Sequence, residues 1–138
     1  MLQRFELFGA VLADVPVTDA LRRHLSENGP QQVYQWRTPD APVVFLAMRA
    51  YSSVHNVING TCYPAALITA SGDDDRMAPW HAYKLAAALQ DSQGCTKPVL
   101  LHVRGSGGHG GGDPDGWLDS VVLQFAFLAR ELNFATEP

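Results

Sequence analysis

The chain has 138 residues, 46% of them hydrophobic and 17% charged, with a formal net charge of −4. That length suits one domain, and an acidic balance with no like-charge run longer than Asp73-Asp74-Asp75 excludes a basic nucleic-acid surface. The longest apolar runs, such as Val43 to Met48, fall far short of a bilayer span, and the N-terminus MLQRFELFGA has no signal-peptide core, so no membrane partner is expected and, with Met1 as the start, the cytosol is the expected compartment.

Leu7 to Val15 is apolar and stops at Pro16, which predicts a buried strand. Thr18 or Asp19 can cap a short helix through Arg22 and Arg23 that ends near Asn28-Gly29-Pro30. Gly29 to Pro42 carries three prolines and reads as a loop, followed by a helix over Ala41 to Tyr51. Tyr63 to Ala70 is a second buried strand, and Ser71 to Arg76 is the loop at its carboxyl end. Pro79 opens a helix that runs to about Gln90. Val99 to Val103 is a third strand, leading into the glycine-rich segment RGSGGHGGGD. From Asp115 to about Leu132 the apolar residues recur at helical spacing, which predicts an amphipathic helix packed on a sheet. Cys62 and Cys95 are too few for a disulfide framework or zinc knuckle and are expected to be packing or surface thiols.

This alternation predicts an α/β domain with a mostly parallel sheet, flanking helices and right-handed crossovers. In such sheets sites gather at the carboxyl ends of strands, where both unusual segments fall: the Asp triplet and the glycine-rich histidine loop. An aspartate after one strand and a histidine after the next is the chain order of an α/β-hydrolase triad, Ser then Asp then His. The carboxylate fixes the imidazole tautomer, and glycines beside the histidine let its ring reach a nucleophile.

Four ordered segments sharpen this reading. They are Leu7-Phe8-Gly9-Ala10-Val11, Tyr51-Ser52-Ser53-Val54-His55-Asn56-Val57, Asp74-Asp75-Arg76-Met77-Ala78-Pro79 with Lys84 on the helix beyond, and Gly108-His109-Gly110-Gly111-Gly112. Together they resemble the C-terminal part of the catalytic domain in the prolyl oligopeptidase family of serine peptidases. The resemblance implies the C-terminal part of an α/β-hydrolase fold, with Asp74 as triad acid and His109 as general base. It further implies that Arg76 donates to a substrate carbonyl and that Val17, Met77 and Trp36 line the pocket that accepts proline. The substrates implied are short proline-containing peptides, cleaved on the carboxyl side of proline. Gln32 stands where the family has the tryptophan that stacks on the substrate proline, which weakens the expectation of proline selectivity.

None of the seven serines has glycine two positions away on both sides, so the family's G-x-S-x-G elbow is not in these 138 residues. The expectation is a partial catalytic domain without the nucleophile, its oxyanion donor or the family's β-propeller, inactive alone. Such a piece is expected to expose an apolar strand edge and to self-associate or pair with an N-terminal half. The rival reading is a non-catalytic remnant or interaction fragment.

The bland readings make Asp73 and Asp75 solvated turn residues and leave His24, His55, His81 and His102 as surface or packing residues. Gly105 to Gly110 fits G-x-G-x-x-G, but no later strand supplies the ribose-binding acid, so no nucleotide is expected. Asp73, Asp75 and the histidines lack ligand spacing for a metal, and no cofactor is expected.

Overall fold

The structure, a computed structural model, describes residues 2–105, 107–109 and 114–134. Three parallel strands, β1 (Ala10–Asp14), β2 (Ala65–Ser71) and β3 (Val99–Arg104), form a sheet in the order β1-β2-β3. Four α-helical segments accompany them: α1 (Val33–Trp36), α2 (Pro42–Tyr51), α3 (Trp80–Ser92) and α4 (Pro114–Glu131). Among the described residues no helix is long and apolar enough to cross a membrane.

All seven residues of β2 are buried, as expected of a central parallel strand covered on both faces. Its side chains alternate. Ile68 and Ala70 pack with Tyr63, Leu85 and Leu89 in the layer that includes α3, whereas Ala65 and Leu67 pack with Phe127 of α4 on the other face. The second layer is thinner, and α4 leaves Trp117, Leu118, Val122 and Phe125 exposed.

Three elements differ from the sequence reading. The first strand begins at Ala10 because Phe5–Leu7 closes a 3₁₀ turn. It ends where Val15 takes a positive φ of 39°, a strained conformation for a β-branched residue, which turns the chain toward Val17. The segment expected as a loop from Gly29 to Pro42 instead contains a 3₁₀ turn over Pro30–Gln32 that runs directly into α1. Gln32 and Trp36 are thereby one helical turn apart. The proposed helix after Asp19 is a single 3₁₀ turn, Arg23–Leu25, and Asp19 does accept from the Arg22 N–H at 3.2 Å.

A further correction concerns the cysteines, which are paired as a Cys62–Cys95 disulfide. The loops entering β2 and β3 lie side by side, with Gly60 N–H donating to Ser92 O and Gly94 N–H to Thr61 O, both at 2.9 Å. A Cβ on Gly94 would lie 2.1 Å from Gly60 O, so only glycine permits this approach.

His81 is a buried packing residue that ties α3 to the segment after β1. Its Nδ1 accepts from the N–H groups of Thr18 at 3.3 Å and Asp19 at 3.1 Å, and its ring stacks on Trp80. Burial, with smaller contributions from Arg23 and Lys84 against an opposing one from Asp19, pushes its pKa down from 6.5 to about 4. Between those values the unfolded chain binds a proton that the folded chain refuses. Stability should therefore fall as pH drops from about 6.5 toward about 4, by on the order of 2–3 kcal/mol from this group. Urea midpoints at pH 7 and pH 4.5 measure this, and equal midpoints would contradict it.

Candidate active site

The site is built at the carboxyl ends of β2 and β3, where Gly72 N–H donates to Arg104 O at 2.8 Å and holds the two outgoing loops together. Asp74 follows β2 and its side chain is fully buried. One carboxylate oxygen, Oδ1, accepts from the N–H of Arg76 at 3.0 Å and of Met77 at 2.8 Å. The other, Oδ2, lies 3.0 Å from Nδ1 of His109, whose side chain is 34% exposed. A carboxylate can only accept, so Nδ1 carries the proton and Nε2 is left as the basic nitrogen. That pairing can orient an imidazole, stabilise its protonated form and present Nε2 as a proton acceptor.

Asp73 is an exposed turn residue, as expected, but its carboxylate also ties the acid loop to the histidine loop. Its Oδ1 accepts from Gly108 N–H at 2.9 Å and Ser71 Oγ at 2.8 Å, and its Oδ2 accepts from Gly107 N–H at 3.1 Å. Gly107 and Gly108 have φ values of 116° and 56°, a backbone route that suits glycine and aims consecutive N–H groups at one carboxylate. The Gly108 bond, then Ser71 and Gly107, hold the Asp73 carboxyl below its ordinary pKa. This fastening is present above about pH 3.8 and is lost as pH falls through the lowered folded value. Gly110 to Gly112 of the histidine motif, and Ser106, lie outside the described residues.

In a hybrid enzyme completed by the upstream part of a relative, Asp73→Ala should lower kcat about tenfold with KM little changed, because it loosens the loop that places His109. Asp73→Asn, whose amide oxygen can still accept from Gly108, should recover part of the loss. Steady-state kinetics of both variants checks this, and an Asn variant no better than Ala would contradict the positioning role.

Beside His109 an open cleft of about 650 Å³ is lined by Val17, Gln32, Trp36, Arg76 and Met77, together with Arg23 and Asp75. All four residues expected to contact substrate thus come together next to the Asp74–His109 pair. Gln32 presents an amide instead of an aromatic face, and its Oε1 accepts from Arg23 Nη2. The cleft wall from Val17 to Arg23 is anchored by Asp19, whose buried carboxylate meets Lys84 Nζ at 2.8 Å and Arg22 Nη1 at 3.3 Å. Burial works to raise the Asp19 pKa, but Lys84 and Arg22 outweigh it and the net shift is downward.

Among the described residues Ser52, His55 and Asp19 also lie together, but their geometry is not that of a triad. His55 Nδ1 is 2.8 Å from Ser52 Oγ and 3.9 Å from Asp19 Oδ1, so the same nitrogen faces both partners. Ser52 is also buried, donating to Thr18 O and accepting from Ala20 N–H. Among the described residues no group of three or more His, Cys, Asp or Glu side chains is placed to hold a metal ion.

The parallel sheet with flanking helices, and an acid and a histidine on neighbouring strand-end loops, make this part of an α/β-hydrolase fold. The chain belongs to the prolyl oligopeptidase family, whose model matches residues 1–135. It is 38% identical to the prolyl endopeptidase of Elizabethkingia miricola over 136 residues, covering 98% of this chain and 18% of that protein. Against the prolyl endopeptidase of Dictyostelium discoideum the identity is 37% over 135 residues, covering 95% of this chain and 18% of that protein. Among solved structures, a prolyl endopeptidase superposes with a TM-score of 0.92 at 39% identity, covering 96% of this chain and 20% of its own. A post-proline cleaving enzyme from Rickettsia typhi superposes with a TM-score of 0.87 at 33% identity, covering 96% and 19% respectively. The chain therefore spans about a fifth of the length of the relatives it matches.

Proposed function

We propose that this chain is the acid-and-base part of a serine peptidase that hydrolyses short peptides on the carboxyl side of proline, its serine coming from a segment outside these 138 residues. The observation that carries this reading is the 3.0 Å contact of buried Asp74 Oδ2 with His109 Nδ1 beside the cleft. His109 Nε2 takes the serine proton as the hydroxyl attacks the scissile carbonyl and returns it to the leaving amine. Asp74 holds the ring in the required tautomer and stabilises the imidazolium. Arg76 donates to a substrate carbonyl, and Val17, Met77 and Trp36 form the walls around the proline ring. The names of the relatives support the substrate class.

The surface supports pairing with an upstream segment. Within the described sheet the outer edge of β1 is unpaired, and α4 exposes an apolar stripe of Trp117, Leu118, Val122 and Phe125.

The test is a hybrid in which these residues replace the matching segment of the Elizabethkingia miricola enzyme. It should cleave a Gly-Pro substrate. Because Gln32 offers no ring to stack on, its preference for proline over alanine should be roughly three- to tenfold weaker than the parent's, and Gln32→Trp should raise it. The readout is the ratio of kcat/KM for matched proline and alanine substrates. No cleavage of the proline substrate would refute the reading, and an unchanged ratio would refute the role of position 32.

A further inference from the structure

Arg23 is only 8% exposed, yet among the described residues no carboxylate lies within ion-pair distance of it. Its Nη2 is committed to Gln32 Oε1, and its guanidinium carbon lies 4.2 Å from the centroid of the Trp36 ring. Its Nη1 is buried with no hydrogen-bond partner. The side chain lines both the open cleft beside His109 and a smaller inner cavity of about 160 Å³, walled by Ala20, Met48 and Trp36 among others. The cleft lining carries a second guanidinium, on Arg76, against one carboxylate, Asp75.

A buried cation without a counter-ion is costly, and a guanidinium with an unused N–H group is suited to bind a planar carboxylate. Gln32 contributes to this arrangement because its amide oxygen holds one arm of the fork, while the other arm stays buried without a partner in a residue that lines the cleft.

We propose that Arg23 makes this pocket accept an acidic side chain, so that the enzyme also cleaves after glutamate or aspartate. The inference rests on the peptidase reading above and extends its substrate class. The apolar walls from Val17 and Met77 receive the methylene stem, and the carboxylate meets the free edge of Arg23. Nη1 is buried, so entry requires the side chains packed on the guanidinium, Trp36 with its ring centroid 4.2 Å away among them, to shift.

The test uses the same hybrid with matched Gly-Pro, Gly-Glu, Gly-Asp and Gly-Gln fluorogenic substrates. At least one acidic substrate should be cleaved with kcat/KM at least about tenfold above the isosteric but uncharged glutamine substrate. Arg23→Met should bring that ratio close to one, and Arg23→Lys, which keeps the cation, should retain about threefold or more. Should Arg23→Met fail to fold, the comparison of Glu and Asp with Gln in the unsubstituted hybrid decides alone. Cleavage of the proline substrate with no acidic advantage over glutamine overturns this inference and leaves the peptidase reading intact. A ratio unmoved by Arg23→Met also overturns it, and no cleavage of any substrate overturns both.

Discussion

Asp74→Asn in the hybrid enzyme is expected to lower kcat by about 10⁴-fold with KM little changed. The amide oxygen can still accept from the Arg76 and Met77 N–H groups, so the loop keeps its shape. Its NH₂ then faces His109, and the imidazole answers by accepting at Nδ1 and carrying its proton on Nε2. A ring in that tautomer cannot take the serine proton. The residues proposed to bind substrate, Arg76, Met77, Val17 and Trp36, line the cleft and do not change. Steady-state kinetics with a circular-dichroism check of folding measures the effect, and a loss below about tenfold would mean that Asp74 is not the orienting acid.

The largest stability effect is expected from the disulfide. Cys62 and Cys95 are separated by 33 residues, a span that encloses β2, the acid loop and α3. In the chain-entropy description, closing a loop of that length stabilises the folded state by about 3–4 kcal/mol. Replacing both cysteines with serine should cost about that amount, read as a lower urea midpoint with an almost unaltered folded structure. The bond lies at the amino ends of the strands, away from Asp74 and His109, so kcat per folded molecule should change little. A midpoint shift under about 0.5 kcal/mol would show that the pair does not constrain the chain. Disulfides persist in oxidising compartments and are reduced in the cytosol, so alkylation of the two thiols in intact cells would support the cytosolic expectation and protection would oppose it.

Asp74, Arg76 and His109 are legible in the sequence because their motifs couple residue type to a backbone route: a strand, a turn, a Pro-started helix, or glycines around an imidazole. The parallel sheet is legible for a similar reason, since the apolar runs of β2 and β3 and the helical periods of α3 and α4 are local properties. What was not legible depends on residues far apart in the chain. The role of Asp73 needs Gly107 and Gly108 brought 34 and 35 positions back to meet it. The Cys62–Cys95 pair needs the loops before β2 and β3 to touch. Arg23 reads as an ordinary polar helix residue until its burial against Gln32 and Trp36 is seen. The turn from Pro30 to Trp36 was masked by prolines, although Pro30 occupies the first-turn position that a helical start tolerates.

Covalent labelling by a fluorophosphonate probe tests most directly whether Asp74 and His109 form the acid and base of a triad completed by a serine from elsewhere. The probe reports a serine activated by a base and requires no knowledge of the substrate. The 138-residue chain alone should remain unlabelled, the hybrid should be labelled on its upstream serine, and His109→Ala in the hybrid should abolish the label. Label on a serine within the 138 residues, or labelling of the hybrid that persists in His109→Ala, would contradict the account.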